Sequence, residues 1–520
     1  MTARVHLVGA GPGDPGLLTV RGRALLERAD VVVHDALVPA RLLEHVRPGA
    51  EIIAVGPPHG DPRRLSQDDV QALLIERARS GQTVVRLKNG DPMLFGRGGE
   101  EAAALRAAGV PFDIVPGVTS ALAVPAYAGI PVTHRDHASL VTVITGHQAA
   151  EPGGEAALPD VEWDGLVRRG GTLVFLMGVR QLGAILDALA AHGLASATPA
   201  ALVRWGTTGR QRTVVGTVAT LAAAAQDEAM GPPAVLVVGS VVSLREQIGW
   251  YETRPLLGRR IVVTRARAQA GTLAERLEAL GADVLPFPTI QLVSYEDRPA
   301  VRRVIAAAPG YDWIVLTSAN GVRVFFDTFA AGGGDVRRFG GTRFAAIGSE
   351  TARLLETHLI RPEVVPADFR AEALADALEA HGMAGARVLL PRAAGARTVL
   401  PERLRALGAT VDDVATYEAV PPADADVDGL LGALGAGGVH AVTFTSSSTV
   451  SNFMALIGPA GAALLRERPP VIACIGPITG ETAREYGLPV HVRPDVYTID
   501  ALCTALVDHF CKGAGDPLSP

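Results

Sequence analysis

Short apolar runs closed by glycine-rich turns recur along this 520-residue chain, and the first of them sets the pattern. Val5, Leu7 and Val8 predict a buried strand. Gly9, Gly11 and Gly13 then permit a tight turn and the close approach of a ligand. Leu17, Leu18, Leu25 and Leu26 carry the spacing of a helix, with its body over 21–28. Strand, glycine loop and helix is the layout of a nucleotide-type site in an open α/β sheet, although a lone glycine loop is often only a turn. ADVVVHD repeats the apolar run and ends on Asp35, at the carboxyl end of its strand. TVVRL runs into a second turn, Asn89-Gly90-Asp91-Pro92, and Gly96, Gly98 and Gly99 precede a helix over 100–107. Further helices are expected over 71–79 and 182–191, and strands in GTLVFLMG, near 201–204 and in PPAVLVVGSVV.

The chemistry narrows in two steps. Pro12 has no N–H, so the first loop lacks a donor that a phosphate cradle would use. An adenosine ligand without phosphates, such as S-adenosylmethionine, suits it better than a pyrophosphate. Asp35 sits about where a dinucleotide fold carries its ribose acid, which keeps NAD in play up to that residue. The two glycine turns are expected on neighbouring strands, facing the same sheet edge; a dinucleotide fold has no need of the second, and the NAD reading falls there. A cap or turn role remains the alternative for Asp35.

Composition sets outer limits. Apolar residues make up 48% and charged residues 20%, an ordinary globular balance sufficient for three or four domains. A net charge of −6 argues against general nucleic-acid affinity. Cys474, Cys503 and Cys511 have neither metal-type spacing nor the number for a disulfide framework, so no metal is expected and a reducing cytoplasm is the expected setting. Met1 leads almost at once into a strand, and no apolar run reaches the ~18 residues of a membrane span, so a soluble, intracellular chain is expected.

From Gly258 a new pattern begins and occurs twice. IVVTR at Ile261 returns as VLLPR at Val388, and ERLEALGADV at Glu275 returns as ERLRALGATV at Glu402, both 127 residues on. LTSANGVRVF with Ser318 answers FTSSSTVSNF with Ser446, and Gly348 answers Gly476, both at 128. Four anchors at offsets of 127 and 128 indicate duplicated architecture, here a pair of similar α/β lobes with parallel sheets. The polar turns TSAN, IGSET, TSSS and IGPIT follow apolar strands and are expected to line a cleft between the lobes. An ordinary helix N-cap is the alternative for each hydroxyl.

GAGPGDPGLLTVRG, ADVVVHDALV, RLKNGDPMLFGRGGEE, PGVTSALAVPAYAGIPVTHR, VFLMG and WGTTGRQR occur in order over about 4–245. On these motifs the first half resembles the S-adenosylmethionine-dependent tetrapyrrole methyltransferases, most closely uroporphyrinogen-III C-methyltransferase. The resemblance implies a two-lobed α/β protein (lobes about 1–117 and 118–245) that holds S-adenosylmethionine between its lobes. The implied cofactor contacts are Pro12, Gly90, Asp91, Leu94, Thr119, Ser120, Met177 and Gly206. Asp35 falls on the proposed proton acceptor. Two departures stand out. Pro57 replaces a lysine sometimes assigned as proton donor, so either that lysine is not essential or His59, Arg63 or Arg64 substitutes for it, and Asn89 replaces the first glycine of a Gly-Gly-Asp turn. Asn tolerates the left-handed backbone such a turn needs.

After a linker or inter-domain surface over 246–257, residues 258–512 resemble uroporphyrinogen-III synthase, with a tail over 513–520. IVVTR, VLTSANGV, AAIGSETA, VATYEAV and ACIGPITGETA carry the likeness. It implies one lobe from about 258–292 and 420–512 and another from about 293–419. It implies closure of hydroxymethylbilane with loss of water and no cofactor. Tyr417 and Thr479 match the catalytic candidates, and Ser318 and Ser446 match secondary cleft positions; packing is the alternative for Tyr417. The two resemblances join chemically: the second half would make uroporphyrinogen III, and the first would methylate it twice to precorrin-2, for sirohaem or cobalamin. Both ligands are rich in carboxylates, so Arg97, Arg135, Arg265 and Arg392 are candidate contacts. The competing reading makes the second half an inactive tetrapyrrole-binding or regulatory module. A homodimer through the methyltransferase half is an expectation from the family alone.

Overall fold

The computed structural model describes residues 4–56, 65–146, 158–265, 267–422 and 425–512. The chain divides into two compact units, one of residues 1–264, 268–287 and 427–520, the other of 265–267 and 288–426.

The first unit opens with a five-stranded, all-parallel sheet. Its strands are β1 (Val5–Gly9), β2 (Val31–His34), β3 (Glu51–Ala54), β4 (Val84–Lys88) and β5 (Phe112–Val115), in the order β3-β2-β4-β1-β5. Apolar side chains cover both faces: Val5, Leu7, Val31 and Val84 pack on one side, and Val8, Val32, Val85 and Leu87 on the other. Burial on two faces is why these strands read as continuous apolar runs. β1 and β4 are direct neighbours in register, Gly9 opposite Lys88, which sets the two glycine turns side by side at one sheet edge.

A second sheet is built from β6 (Val141–Thr145), β7 (Thr172–Leu176), β8 (Pro199–Arg204), β9 (Arg212–Thr217) and β10 (Ala234–Val238) in the order β6-β7-β10-β8-β9. Only β6 and β7 run parallel; β10 is antiparallel to β7 and β8, and β9 is antiparallel to β8. Residues 246–257 form a packed strap, with Tyr251 and Leu256 buried. The strap closes against a third, parallel sheet, in which β11 (Arg260–Val263) and β12 (Asp283–Pro286) join two strands from far along the chain, β18 (Ala441–Phe444) and β19 (Val471–Cys474).

The second unit holds β13 (Gln291–Ser294), β14 (Trp313–Leu316), β15 (Arg343–Ala346), β16 (Arg387–Ala393) and β17 (Thr410–Val420), ordered β13-β17-β16-β14-β15. β13 is an added antiparallel edge; the other four repeat the third sheet strand for strand. The sequence duplication thus becomes two similar sheets, and each sheet takes two strands from each repeat. Even an isolated bridge recurs, Ala345 with Val364 and Ala473 with Val492.

Among the described residues one helix, Ser447–Glu467, has the length and apolar composition of a membrane span, with a mean hydropathy of 1.3. Its serines, threonine and asparagine interrupt the run, so no continuous apolar stretch marks it. Gly458 leaves helical geometry (φ 58°) just before Pro459 and divides it in two.

Candidate functional site

The glycine turns meet backbone to backbone. Gly11 N–H donates to the Gly90 carbonyl at 3.2 Å, and Gly90 N–H to the Gly11 carbonyl at 2.7 Å. Gly117, at the end of β5, completes the contact: a Cβ there would stand 2.2 Å from the Gly90 oxygen and 2.6 Å from the Gly9 Cα. Asp91 clamps the arrangement, its Oδ1 accepting the Met93 N–H at 2.8 Å and its Oδ2 the Gly117 N–H at 3.0 Å. The left-handed residue of the turn is Gly90 (φ 66°), not Asn89. The Asn89 substitution therefore needs no special backbone tolerance, which corrects the sequence-based account of how the turn survives.

Thr119 and Ser120 stand directly against Gly90, whose added Cβ would lie 3.9 Å from the Thr119 Cα and 3.8 Å from the Ser120 nitrogen. Thr119 caps the helix Ser120–Tyr127, accepting the Ala121 N–H at 3.2 Å. Val124 of that helix packs so closely on Gly206 that a Cβ on the glycine would come within 2.4 Å of it. The first loop reaches the same place, with the Asp14 N–H donating to Thr207 Oγ1 at 3.1 Å. Pro12, Gly90, Asp91, Thr119, Ser120 and Gly206 are thus gathered by short links. Leu94 packs against the core of the second sheet, beside Val124 and Leu176. Met177, which follows Leu176, is 46% exposed and is therefore not a core residue. Phe95, Arg97, Met177, Trp205 and Thr207 all adopt positive φ, an uncommon state for residues with a Cβ that clusters at functional sites.

Asp35 ends β2 beside a buried charge network that the motifs did not reveal. Arg86 Nη2 donates to its Oδ1 at 2.5 Å and the Asn89 N–H to its Oδ2 at 3.1 Å. Arg86 also lies 3.3 Å from Glu101, which accepts the Lys88 ammonium at 2.8 Å; all three side chains are buried. Burial pushes the Asp35 carboxyl upward, but Arg86, Lys88 and the two hydrogen bonds outweigh it and hold the group below the ordinary value of 3.8. Burial and Arg86 in turn push the Lys88 ammonium down. A carboxylate held ionised this firmly orients a cationic or N–H partner well and accepts a proton reluctantly. The available signal was two charged residues at alternate positions of a strand buried on both faces.

In the second unit Tyr417, on β17, brings its hydroxyl within 2.8 Å of Ser318 Oγ. Ser318 also caps the helix Ala319–Ala331 through the Gly321 N–H at 2.9 Å. Burial raises the Tyr417 pKa against the opposing hydrogen bond from Ser318, so the phenol stays protonated. In the first unit Ser446 caps the helix Ser447–Glu467, and Thr479 is buried in the first turn of Pro477–Glu485. Thr351 occupies the matching position of the other repeat and is equally buried. The N-cap alternative therefore describes both serines, and Ser318 alone adds a contact to Tyr417.

The arginines divide. Arg97 is exposed and paired with Glu100 at 2.9 and 2.6 Å, and Arg135 is exposed. Arg265 lies 3.7 Å from Glu350. Arg392 is buried and held by Asp413 and the Arg397 carbonyl, so the structure consumes it and it is withdrawn as a carboxylate contact. Pro57, His59, Arg63 and Arg64 lie outside the described residues. Among the described residues no cluster of three or more His, Cys, Asp or Glu could hold a metal ion.

Two family models match the chain: tetrapyrrole (corrin/porphyrin) methylases over residues 4–222 and uroporphyrinogen-III synthase HemD over 271–504. The porphyrin biosynthesis protein HemD of Ruminiclostridium josui is 37% identical over 504 residues, 97% of each chain. An S-adenosyl-L-methionine-dependent uroporphyrinogen III methyltransferase from Methanosarcina barkeri is 46% identical, covering 48% of this chain and 96% of its own. Among solved structures, uroporphyrin-III-C-methyltransferase from Thermus thermophilus matches at 38% identity over 48% of this chain and 97% of that one, with a TM-score of 0.38. The chain belongs to the family of porphyrin-biosynthesis proteins in which a tetrapyrrole methylase is followed by a uroporphyrinogen-III synthase.

Proposed function

We propose that the chain closes hydroxymethylbilane to uroporphyrinogen III with its second half and methylates that product twice with its first, giving precorrin-2. The observation that carries the methyltransferase assignment is the backbone contact of Gly9, Gly90 and Gly117 under the Asp91 clamp, which leaves no room for side chains. The boundaries we adopt are 1–245 for the methyltransferase and 258–512 for the synthase, with the strap 246–257 joining them.

The glycine cradle suits S-adenosylmethionine because Pro12 removes a backbone N–H that a phosphate would use, while the remaining backbone N–H and carbonyl groups can bind the polar parts of an adenosine ligand. Pro12, Gly90, Asp91, Thr119, Ser120 and Gly206 would hold it, with Leu94 and Met177 supplying apolar contact. The cofactor brings an already activated electrophilic methyl, so positioning is the main task left to the protein. Asp35, kept ionised by Arg86 and Lys88, orients the macrocycle through its pyrrole N–H groups and is at most a weak acceptor for the ring proton. Arg97 and Arg135 receive substrate carboxylates, and Arg97 must exchange Glu100 for them. In the second half the protonated Tyr417 donates to the departing hydroxyl, which leaves as water, while Ser318 orients the phenol. Thr479 and Ser446 are the candidate propionate contacts of the first unit. The cytoplasm is the proposed setting, supported by three free cysteines, and pairing of two chains through the methyltransferase half is proposed on the resemblance alone.

The test is Asp91→Ala. Removing the clamp orphans two backbone donors at about 1–3 kcal/mol each and should abolish methyl transfer. Closure of hydroxymethylbilane should continue at the wild-type rate. Loss of both activities in a folded variant would sink the two-site assignment.

A further inference from the structure

The strap 246–257 makes its most specific contacts with the two loops that shape the proposed cradle. The Tyr251 hydroxyl donates to the Thr207 carbonyl at 3.3 Å. Thr207 N–H donates to Gln211 Oε1 at 2.8 Å, and Gln211 Nε2 to Glu252 Oε1 at 2.9 Å. Thr207 Oγ1 accepts the Asp14 N–H, so every polar group of this residue is engaged. Thr207 is buried and β-branched, yet its φ is 69°, a conformation that such a residue adopts only when its surroundings impose it.

A second tyrosine holds the other loop. The Tyr127 hydroxyl donates to Asp14 Oδ2 at 2.7 Å, while Asp14 Oδ1 accepts the Gly16 N–H at 2.7 Å. The Tyr127 ring packs 4.9 Å from Tyr251 and 5.0 Å from Trp250, centroid to centroid. The Arg254 guanidinium lies 4.6 Å from the Tyr251 ring and 4.9 Å from Trp250. Trp250 Nε1 fastens the strap to the Ala126 carbonyl at 3.0 Å, on the helix capped by Thr119. The far end is fixed by the Leu256 N–H to the Leu280 carbonyl at 2.9 Å.

We propose that Tyr251 and Tyr127 are positioning residues for the methyl donor: their hydroxyls fix Thr207 and Asp14, and through them the Gly206 and Gly13 walls of the cradle. Tyr251 is buried and acts only through Thr207. The inference rests on the reading that S-adenosylmethionine occupies this cradle. It gives the strap a part in cofactor binding as well as in joining the two halves.

Tyr251→Phe, Tyr127→Phe and the double variant of the full chain test it, because each keeps the ring and removes one hydroxyl. S-adenosylmethionine affinity is read by calorimetry, KM and kcat with uroporphyrinogen III as acceptor, and hydroxymethylbilane closure as an internal control. Each single variant should raise Kd and KM for S-adenosylmethionine roughly tenfold, with kcat within about twofold and closure unchanged. A lower Tm with unchanged Kd would show a structural role only and overturn the proposal. If Tyr251→Phe does not fold, the half-buried Tyr127→Phe carries the same test. Wild-type protein that fails to bind S-adenosylmethionine would overturn the cradle reading itself, whereas binding wild-type with unaltered variants would overturn this inference alone.

Discussion

Asp35 shows how far a residue's surroundings redirect its chemistry. Its pKa is lowered because Arg86, Lys88 and two hydrogen bonds overcome the cost of burial. The sign follows: the stabilisation from this ion pair is present above the unfolded value near 3.8 and is lost as pH falls through the lower folded value. Asp35→Asn should cost about 1.5–3 kcal/mol at neutral pH, since the bonds it weakens involve charged groups. Thermal unfolding of the two proteins from pH 7 downward should show this gap persisting to about 4 and closing below it. A gap that closes near pH 6 would mean that the carboxyl is not held ionised. The carboxylate itself was legible at a strand's carboxyl end. Its partners were not, because Arg86 and Lys88 become buried only when β4 is sandwiched between β2 and β1.

At the scale of elements, the two glycine turns were readable as neighbours at one sheet edge, and the pairing of β1 with β4 bears this out; the third partner, Gly117, was not. Gly117 joins them because β5 pairs with the other side of β1, a placement that the spacing of residues along the chain does not encode. Gly117→Ala tests the contact: its new methyl would strike backbone atoms that cannot turn aside, at about 1–3 kcal/mol of overpacking. Methyl-donor affinity should be lost while the protein still unfolds cooperatively in a thermal melt. The duplicated half offers a matched pair. Ser318→Ala and Ser446→Ala should each cost ~1 kcal/mol of stability as lost N-caps. Ser318→Ala should also lower kcat for closure markedly, because Ser318 meets Tyr417, whereas Ser446→Ala should raise KM and leave kcat near wild type; equal losses of kcat would contradict the assigned role. That asymmetry was hidden in the sequence, where the position matching Tyr417, 127 residues earlier, is Ile290.

For the whole molecule, the repeat was plain in the sequence, and the sheets explain its form. β11 and β12 pair with β18 and β19 from the other repeat, so neither repeat completes a sheet alone. The strap is the part that composition could not describe: a tryptophan, a tyrosine and charged residues read equally as tether or surface until their partners are placed. Tyr417→Phe separates the halves chemically. It should lower the closure rate at least tenfold and leave methylation of supplied uroporphyrinogen III unchanged, consistent with a proton donor worth about 10²–10⁴ in rate. The most direct measurement supplies the purified chain with hydroxymethylbilane, with and without S-adenosylmethionine, and resolves product mass and ring isomer. Two working sites predict type III uroporphyrinogen without the cofactor and its doubly methylated derivative with it. Type I rings alone, the product of spontaneous closure, would contradict the account and leave the second half a binding module.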